Sequence, residues 1–158
     1  MTRPQTKEEW KTYLKSRLDM SQFLSLATRN ENEVWTSPLY FAYDNAFTLY
    51  FISEKSSQHV RNLERTVSIS CAIYSTSQKP GEDVVGIQMT DKAYAVNDEE
   101  REHAREVYFS ATDARRPVAY GEFMEPTGEW HYFKIVPNEI FTLDSEIFGE
   151  KRIKLPLP

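Results

Sequence analysis

Hydrophobic and polar residues alternate in short runs along most of the chain, a pattern typical of β-strands. Residues 67–74 show it most clearly, with apolar side chains at the odd positions and serine or alanine at the first three even positions. Because successive side chains of a strand point to opposite faces, one face enters a core and the other is small and polar. Residues 48–53 are almost continuously apolar, which predicts a strand buried on both faces.

The same patterning predicts six or seven strands and three helices. Turn residues at positions 29–32 and 44–45 separate the first three strands, which we expect to form an antiparallel meander. The expected strands cover residues 23–28, 34–43, 48–53, 67–74, 84–96, 129–136 and 140–144, and the expected helices cover residues 6–20, 57–64 and 99–109. Residues 110–128 fit either a loop or a broken helix, and the prolines of the tail should end regular structure.

The first helix has clear start and packing signals. Thr6 and Glu9 have the spacing of a capping box. In this motif the threonine side chain accepts a hydrogen bond from the backbone N–H of the glutamate, and the glutamate side chain accepts one from the backbone N–H of the threonine. Its apolar residues recur every three or four positions, which gives one hydrophobic stripe that should pack on the sheet. These residues are Trp10, Tyr13, Leu14 and Leu18.

This order of elements defines a mainly β (α+β) fold. It lacks the βαβ alternation of a doubly wound protein, and neither a GxGxxG nor a Walker sequence occurs. Six or seven antiparallel strands with helices at the edges predict a small closed barrel. We expect one domain over residues 1–158, with the N-terminal helix at about 6–20 and the barrel at about 23–149.

Composition narrows the class of protein. The chain has 158 residues, of which 40% are hydrophobic and 13% aromatic, so it can bury a real core. A formal net charge of −5 argues against nucleic acid as a partner. The N-terminus lacks a signal-peptide pattern and no run of ~18 apolar residues occurs, so we expect a cytoplasmic protein without a membrane partner. The single cysteine, Cys71, excludes an intrachain disulfide and should be a buried thiol.

The strongest chemical signal follows the strand at residues 48–53. Ser53, Lys55, Ser56, Ser57 and His59 supply hydroxyls and positive charge where a short helix should begin. Such a turn suits a phosphate group, because hydroxyls and backbone N–H groups at a helix start can all donate hydrogen bonds to it. The alternative is a solvated loop in which Ser56 or Ser57 only caps the helix.

Five segments, in their order and spacing, carry a resemblance to a known family. They are FLSLAT, VWTSPLYFAYD, LYFISEKSSQHVRNLERTVSIS, GIQMTDKAYAV and YFKIVPNEIFTLD. Over residues 23–149 the chain resembles the pyridoxamine 5'-phosphate oxidase-like, FMN-binding split barrels.

The resemblance implies a six-stranded antiparallel split β-barrel with peripheral helices that forms a homodimer, with FMN in a groove at the dimer interface. It implies three groups of cofactor-binding residues: Ser53, Lys55, Ser57 and His59 for the phosphate, Ser37, Pro38 and Leu39 for the edge of the isoalloxazine ring, and Gln88 for the flavin or its phosphate.

The chain departs from the family pattern at three places. His59 stands where many members have lysine, so FMN affinity should depend on pH if the imidazole meets the phosphate. Asp91 replaces the glycine that follows the family's glutamine. The R-x-H segment of true pyridoxamine-phosphate oxidases has no counterpart near the C-terminus, so we do not expect pyridoxamine phosphate to be the substrate.

The resemblance implies a flavin-dependent oxidoreductase acting on an unidentified small molecule, with a reduced nicotinamide as electron donor. The flavin would carry the redox chemistry, and no residue is assigned a catalytic role. Two alternatives stay open: a non-catalytic flavin-binding or sensor protein, and a haem- or deazaflavin-binding barrel in which His59 is the candidate axial ligand.

Several other residues have two readings. The three histidines are scattered and form no metal motif. His103 should be a surface residue. Trp35 and Tyr40 alternate across one strand, so at least one should face the core. Arg115 and Arg116 either reach an anionic ligand across a dimer groove or lie in a surface loop.

Overall fold

The computed structural model describes residues 2–79, 81–113 and 126–156, except for the side chains of residues 111–113. The helices are α1 (Lys7–Leu18), α2 (Gln58–Leu63), α3 (Arg101–Asp113) and α4 (Ser145–Phe148). The strands are β1 (Phe23–Arg29), β2 (Val34–Tyr40), β3 (Ala42–Tyr43), β4 (Leu49–Glu54), β5 (Ser68–Tyr74), β6 (Val85–Ala95), β7 (Trp130–Asp144) and β8 (Ile153–Lys154).

The described strands form one antiparallel sheet in the order β2-β1-β5-β6-β7-β4-β3, with β8 paired to β7. The six longer strands are those of the expected split barrel, and β3 and β8 have two residues each. Both antiparallel pairings of the expected meander are present, since β1 pairs with β2 and β3 pairs with β4. The expected strand at 34–43 is, however, divided at Phe41 into β2 and β3, which lie at opposite ends of the strand order. Strand β4 also pairs with β7, far away in sequence, because a hydrophobic pattern identifies a strand but not its distant partner.

Strand β7 is continuous where two separate strands were expected. Pro137, between the two expected strands, pairs with Asp91 at a bulge in β6. On its other edge, β7 pairs with β4 up to Ile135 and with β8 from Phe141. Proline has no backbone N–H to donate. Pro137 is tolerated because it lies opposite a bulge on one edge of β7 and, on the other edge, between the segments that pair with β4 and with β8.

The core lies between the sheet and α1, and a second apolar cluster lies under α3. Leu49 and Phe51 of β4 belong to the main core, whereas Tyr50 packs in the second cluster with Tyr108 and Tyr132. The prediction that this strand is buried on both faces is therefore confirmed. Helix α3 begins two residues later than expected and extends to Asp113. Residues 114–125, with Arg115 and Arg116, lie outside the described residues.

Helix α1 has the predicted capping box, formed by Thr6 and Glu9. Its buried face is held at the end of β7 by polar contacts as well as by packing. The Tyr13 hydroxyl is 2.7 Å from Thr142 Oγ1, and Arg17 donates two hydrogen bonds to Asp144 at 2.7 and 3.0 Å. This helix therefore fixes the end of the barrel at which β7 finishes.

Trp35 shares one face of β2 with buried Ser37 and with Leu39, which packs against the main core. One of the two aromatic residues Trp35 and Tyr40 therefore faces the core, as expected, but neither ring is buried. Their exposed fractions are 45% and 38%. Strand β2 is at one end of the sheet, so the core does not cover either side chain fully. Both rings are available at the surface of the single chain.

Asp91 is a buried carboxyl at the β6 bulge, 5% exposed. It accepts a hydrogen bond from the backbone N–H of Asn138 at 2.8 Å, and Cys71 Sγ lies 3.8 Å from its other oxygen. Burial raises the pKa of Asp91 from its ordinary value of 3.8 to about 6. The Cys71 thiol is buried, as predicted, and its pKa is also raised by burial.

The raised pKa of Asp91 predicts how stability depends on pH. Between about pH 4 and pH 6 the unfolded chain releases this proton while the folded chain keeps it, so stability falls as pH rises. An Asp91→Asn variant should lack this penalty and be more stable at pH 7, by at most about 3 kcal/mol. Urea unfolding at a series of pH values from 4 to 7 measures the effect. The exposed Asp83→Asn is the control, and identical pH profiles for Asp91→Asn and wild type would contradict the prediction.

Candidate functional site

Four of the predicted site residues meet where β2 approaches the connection from β4 to α2. His59 Nδ1 is 3.1 Å from Ser37 Oγ on β2, and His59 Nε2 is 2.7 Å from Ser53 Oγ on β4. Ser57 Oγ lies 3.2 Å from both Ser53 Oγ and His59 Nε2. We call Ser37, Ser53, Ser57 and His59 the serine–histidine cluster. Its side chains link β2, at one end of the strand order, to β4, near the other end. We call the gap between these two ends of the sheet the split.

Local sequence explains how the cluster forms. Ser53 is two residues after Phe51, so the alternation of β4 puts it on the same face as that core residue. Ser57 is the N-cap residue of α2, and its hydroxyl donates to the Glu54 carbonyl oxygen at 2.8 Å. His59 is in the first turn of α2, with its ring 6.2 Å from that of Phe51. The cluster therefore closes one end of the core.

His59 is 7% exposed, and burial lowers the pKa of its imidazole. Both ring nitrogens have serine hydroxyls as partners, and a hydroxyl can either donate or accept, so either neutral tautomer is satisfied. Near neutral pH the ring is therefore uncharged and already engaged. Its role as a phosphate ligand stays a prediction, and it requires a serine to give up its place.

The positive charges near the cluster lie at its rim. The Lys55 side chain is exposed, and its backbone N–H donates to the Glu129 carbonyl oxygen at 2.9 Å. Arg61 is also exposed and donates to the Ser56 carbonyl oxygen and to Gln58. A ligand anion at this end would meet hydroxyls first and these cations at its outer side.

The remaining predicted residues lie elsewhere in the single chain. Leu39 is half-buried against the main core, and Pro38 is exposed on the other face of β2 from Ser37. Gln88 lies in a groove of about 450 Å³ on the outer face of the sheet, together with Ser25, Thr36, Ser70, Phe141 and Arg152. One chain thus gathers Ser37, Ser53, Ser57 and His59 but not Pro38 or Gln88.

Sequence reasoning missed Asn62, which is 1% exposed and anchors α2. Its side-chain amide donates to Thr28 Oγ1 at 3.1 Å, and its carbonyl oxygen accepts from Asn30 at 3.3 Å and from Gln58 at 3.0 Å. Asn62 is three residues after His59, and residues at this spacing share one face of a helix. That spacing was the available signal that this asparagine faces the barrel.

Trp35 also joins the site, since its indole N–H donates to Ser37 Oγ at 3.1 Å. His103 is on the other side of the barrel, where its half-exposed ring lies 3.4 Å from Asp44, so the prediction of a surface position is confirmed. Among the described residues, no group of three or more metal-ligating side chains could hold a metal ion. No helix in the same part of the chain is long and apolar enough to cross a membrane.

Comparison with known proteins defines the fold class. No family model and no curated protein matches the chain. Solved split-barrel structures do match over most of it. A haem-binding protein from Mycobacterium smegmatis is 17% identical with a TM-score of 0.72, and the match covers 98% of this chain but only 59% of that protein.

Two further structures are similar over nearly their whole length. A protein from Clostridium acetobutylicum related to general stress protein 26, of the pyridoxinephosphate oxidase family, is 10% identical with a TM-score of 0.69, covering 96% of this chain and 97% of that one. An FAD-binding protein from Mesorhizobium loti is 16% identical with a TM-score of 0.62, covering 82% and 90%. The chain has the split-barrel fold of these proteins, and the resemblance in sequence is confirmed at this level.

The contacts of Asn62 predict that α2 depends on one side chain. Asn62→Ala would remove the partner of three polar groups, of which Thr28 is buried, and should lower the free energy of unfolding by about 1–3 kcal/mol. Urea unfolding and amide hydrogen exchange in α2 measure the loss. Asn32→Ala, at an exposed position of the β1–β2 turn, is the control, and an unchanged stability of Asn62→Ala would show that α2 is held by apolar packing alone.

Proposed function

We propose that this protein is a homodimeric, flavin-dependent oxidoreductase that binds FMN at the split of the barrel. The observation that carries the proposal is the serine–histidine cluster, in which hydroxyls from β2, β4 and the start of α2 meet at one opening of a split barrel. Similar folds in a pyridoxinephosphate oxidase family protein and in an FAD-binding protein support a flavin as the ligand.

The cluster fits the phosphate end of FMN. Serine hydroxyls can rotate to donate to phosphate oxygens, and hydrogen bonds to a charged acceptor are stronger than those between neutral groups. Lys55 and Arg61 at the rim add positive charge from the solvent side. The phosphate would displace one of the hydroxyl contacts that the cluster now makes within itself.

The planar end of the flavin fits the surface next to the cluster. The Trp35 ring is 45% exposed and fixed at its N–H by Ser37, so it presents an aromatic face at this opening. The neighbouring backbone at Pro38 and Leu39 belongs to the sheet-edge strand β2 and is the expected contact for the isoalloxazine edge. Together these groups would bind the ring and shield one side of it from water.

A second copy of the chain would complete the site. Phe23 and Tyr40 are 44% and 38% exposed, and their rings contact each other in a tilted arrangement, with centroids 4.1 Å apart, on the outer face of β1 and β2. Tyr74 is 48% exposed on the same face, which also carries the groove with Gln88. An apolar face of this kind favours association, and Gln88 of one copy would then be available to the flavin of the other.

The flavin, when bound, supplies hydride or electron transfer, with a reduced nicotinamide as donor and a small molecule as acceptor. The residues of this chain would bind the phosphate, orient the ring and exclude water. We assign no general acid or base. We also propose that the protein is cytoplasmic and that neither nucleic acid nor a membrane is its partner.

The main alternative is a non-catalytic flavin-binding protein. Anaerobic addition of a reduced nicotinamide distinguishes it from an oxidoreductase, since only the oxidoreductase would reduce the bound flavin and so remove its visible absorption. Haem or deazaflavin on the same barrel is less favoured. His59, the candidate axial ligand, has both ring nitrogens bonded to serines. The absorption spectrum of the purified protein distinguishes flavin, deazaflavin and haem directly.

FMN should bind more tightly than riboflavin, because the cluster is proposed to bind the phosphate. Ser53→Ala should weaken FMN binding by about 1–2 kcal/mol through the loss of one hydrogen bond to a charged group, and leave riboflavin binding nearly unchanged. Quenching of flavin fluorescence measures both affinities. Ser77→Ala, in an exposed loop, is the control. Equal affinities of the wild type for FMN and riboflavin would remove the cluster from the ligand site.

The protein should sediment as a dimer at low micromolar concentration. Tyr40→Lys introduces a charge at the aromatic contact with Phe23 and should shift the equilibrium towards monomer. It should also weaken FMN binding, because the site would lose the partner's contribution. Tyr94→Lys, at a 37% exposed position near the other end of β6, is the control. A wild-type protein that sediments as a monomer and still binds FMN would contradict the shared site.

A further inference from the structure

His131 lies beside the serine–histidine cluster although it is 72 residues after His59 in the chain. In the pairing of β4 with β7, His131 is directly opposite Ser53. Directly opposed residues of antiparallel strands point to the same face, with Cβ atoms about 5 Å apart. The next pair on this face, Phe51 and Phe133, has stacked rings 5.2 Å apart. His131 therefore lies on the side of the sheet to which Ser53 and His59 belong.

The imidazole of His131 has an unused polar atom. Its Nε2 is shielded from solvent and has no hydrogen-bond partner among the described residues. The hydroxyl of Ser53, directly opposite, is bonded to His59 and Ser57 instead. An unpaired buried polar group costs about 1–3 kcal/mol, so a group in this position is usually satisfied by water or by a ligand.

The groups around the cluster leave a role for His131 Nε2 in binding an anion. A phosphate needs donors and positive charge to replace its water. His59 is uncharged near neutral pH and engaged on both nitrogens, and Lys55 and Arg61 reach the site only from its exposed rim. His131 has an imidazole on the inner side whose Nε2 has no partner among the described residues.

We propose that His131 is a ligand-binding residue of this site and that its Nε2–H donates a hydrogen bond to an oxygen of the ligand's anionic phosphate group. This inference rests on the proposed flavin site and adds to it a residue on β7. It also divides the work between the two histidines: His59 positions the serines across the split, and His131 contacts the anion.

Titrations with FMN and with riboflavin test the inference. His131→Ala should weaken FMN binding roughly tenfold, as expected for loss of one charge-assisted hydrogen bond, and should leave riboflavin binding within about twofold of wild type. His131→Gln keeps an N–H donor and should recover part of the FMN affinity. His103→Gln, on the other side of the barrel, is the control and should bind both flavins like the wild type.

Histidine ring signals in NMR spectra give a second readout that does not require a variant to bind ligand. The three ring signals are assigned from His131→Gln and His103→Gln. FMN should shift the His131 signal strongly, and riboflavin should shift it little. If His131→Ala is unfolded by circular dichroism, this comparison on the wild-type protein decides.

The outcomes separate the inference from the proposed function. A wild type that binds neither flavin would overturn both. A wild type that prefers FMN, with His131→Ala equally tight and the His131 signal unmoved, would overturn the role of His131 and leave the flavin site standing. Equal weakening of FMN and riboflavin binding by His131→Ala would show that His131 contacts the ring or supports the fold, and would also overturn the phosphate contact.

Discussion

The pairing of β4 with β7 is the contact on which the rest of this molecule depends. It joins residues 49–54 to residues 130–135 and so brings an early hairpin against the last long strand. This pairing determines which way each face of β4 points. Phe51 and Ser53 face the barrel interior, and Tyr50 faces α3. The same pairing carries α2 to the open end of the sheet, next to β2.

The barrel is closed at that end by side chains, because β2 and the β4–β3 hairpin are at opposite ends of the strand order. His59 holds Ser37 on one side and Ser53 on the other, and Asn62 holds α2 to Thr28. Individual side-chain hydrogen bonds contribute only about 1 kcal/mol each. A ligand can therefore exchange with them at modest cost, which a split closed by a full backbone ladder would not allow.

Local features of the site were predictable from sequence, and long-range ones were not. A nearly continuous apolar run identified β4 and alternation identified β5. The capping box identified α1, and the serine-rich turn identified Ser53 and Ser57. Each of these signals lies within a few residues. The β4–β7 pairing and the anchoring of Asn62 depend on which distant segments pack together, and no short pattern encodes that choice.

The two histidines differ in how much local spacing indicates about them. By the resemblance, His59 occupies a position where many family members have a lysine, so spacing favours it as a group that meets a phosphate, and that role stays a prediction. Its burial and its two serine partners make it neutral and engaged, which are properties of a residue that organises a site. His131 has no motif around it, yet strand pairing puts it opposite Ser53 with a free nitrogen. In the proposed site a hydrogen-bond donor to the anion thus comes from the neighbouring strand, because an anion responds to where donors lie in space and not to their place in the sequence.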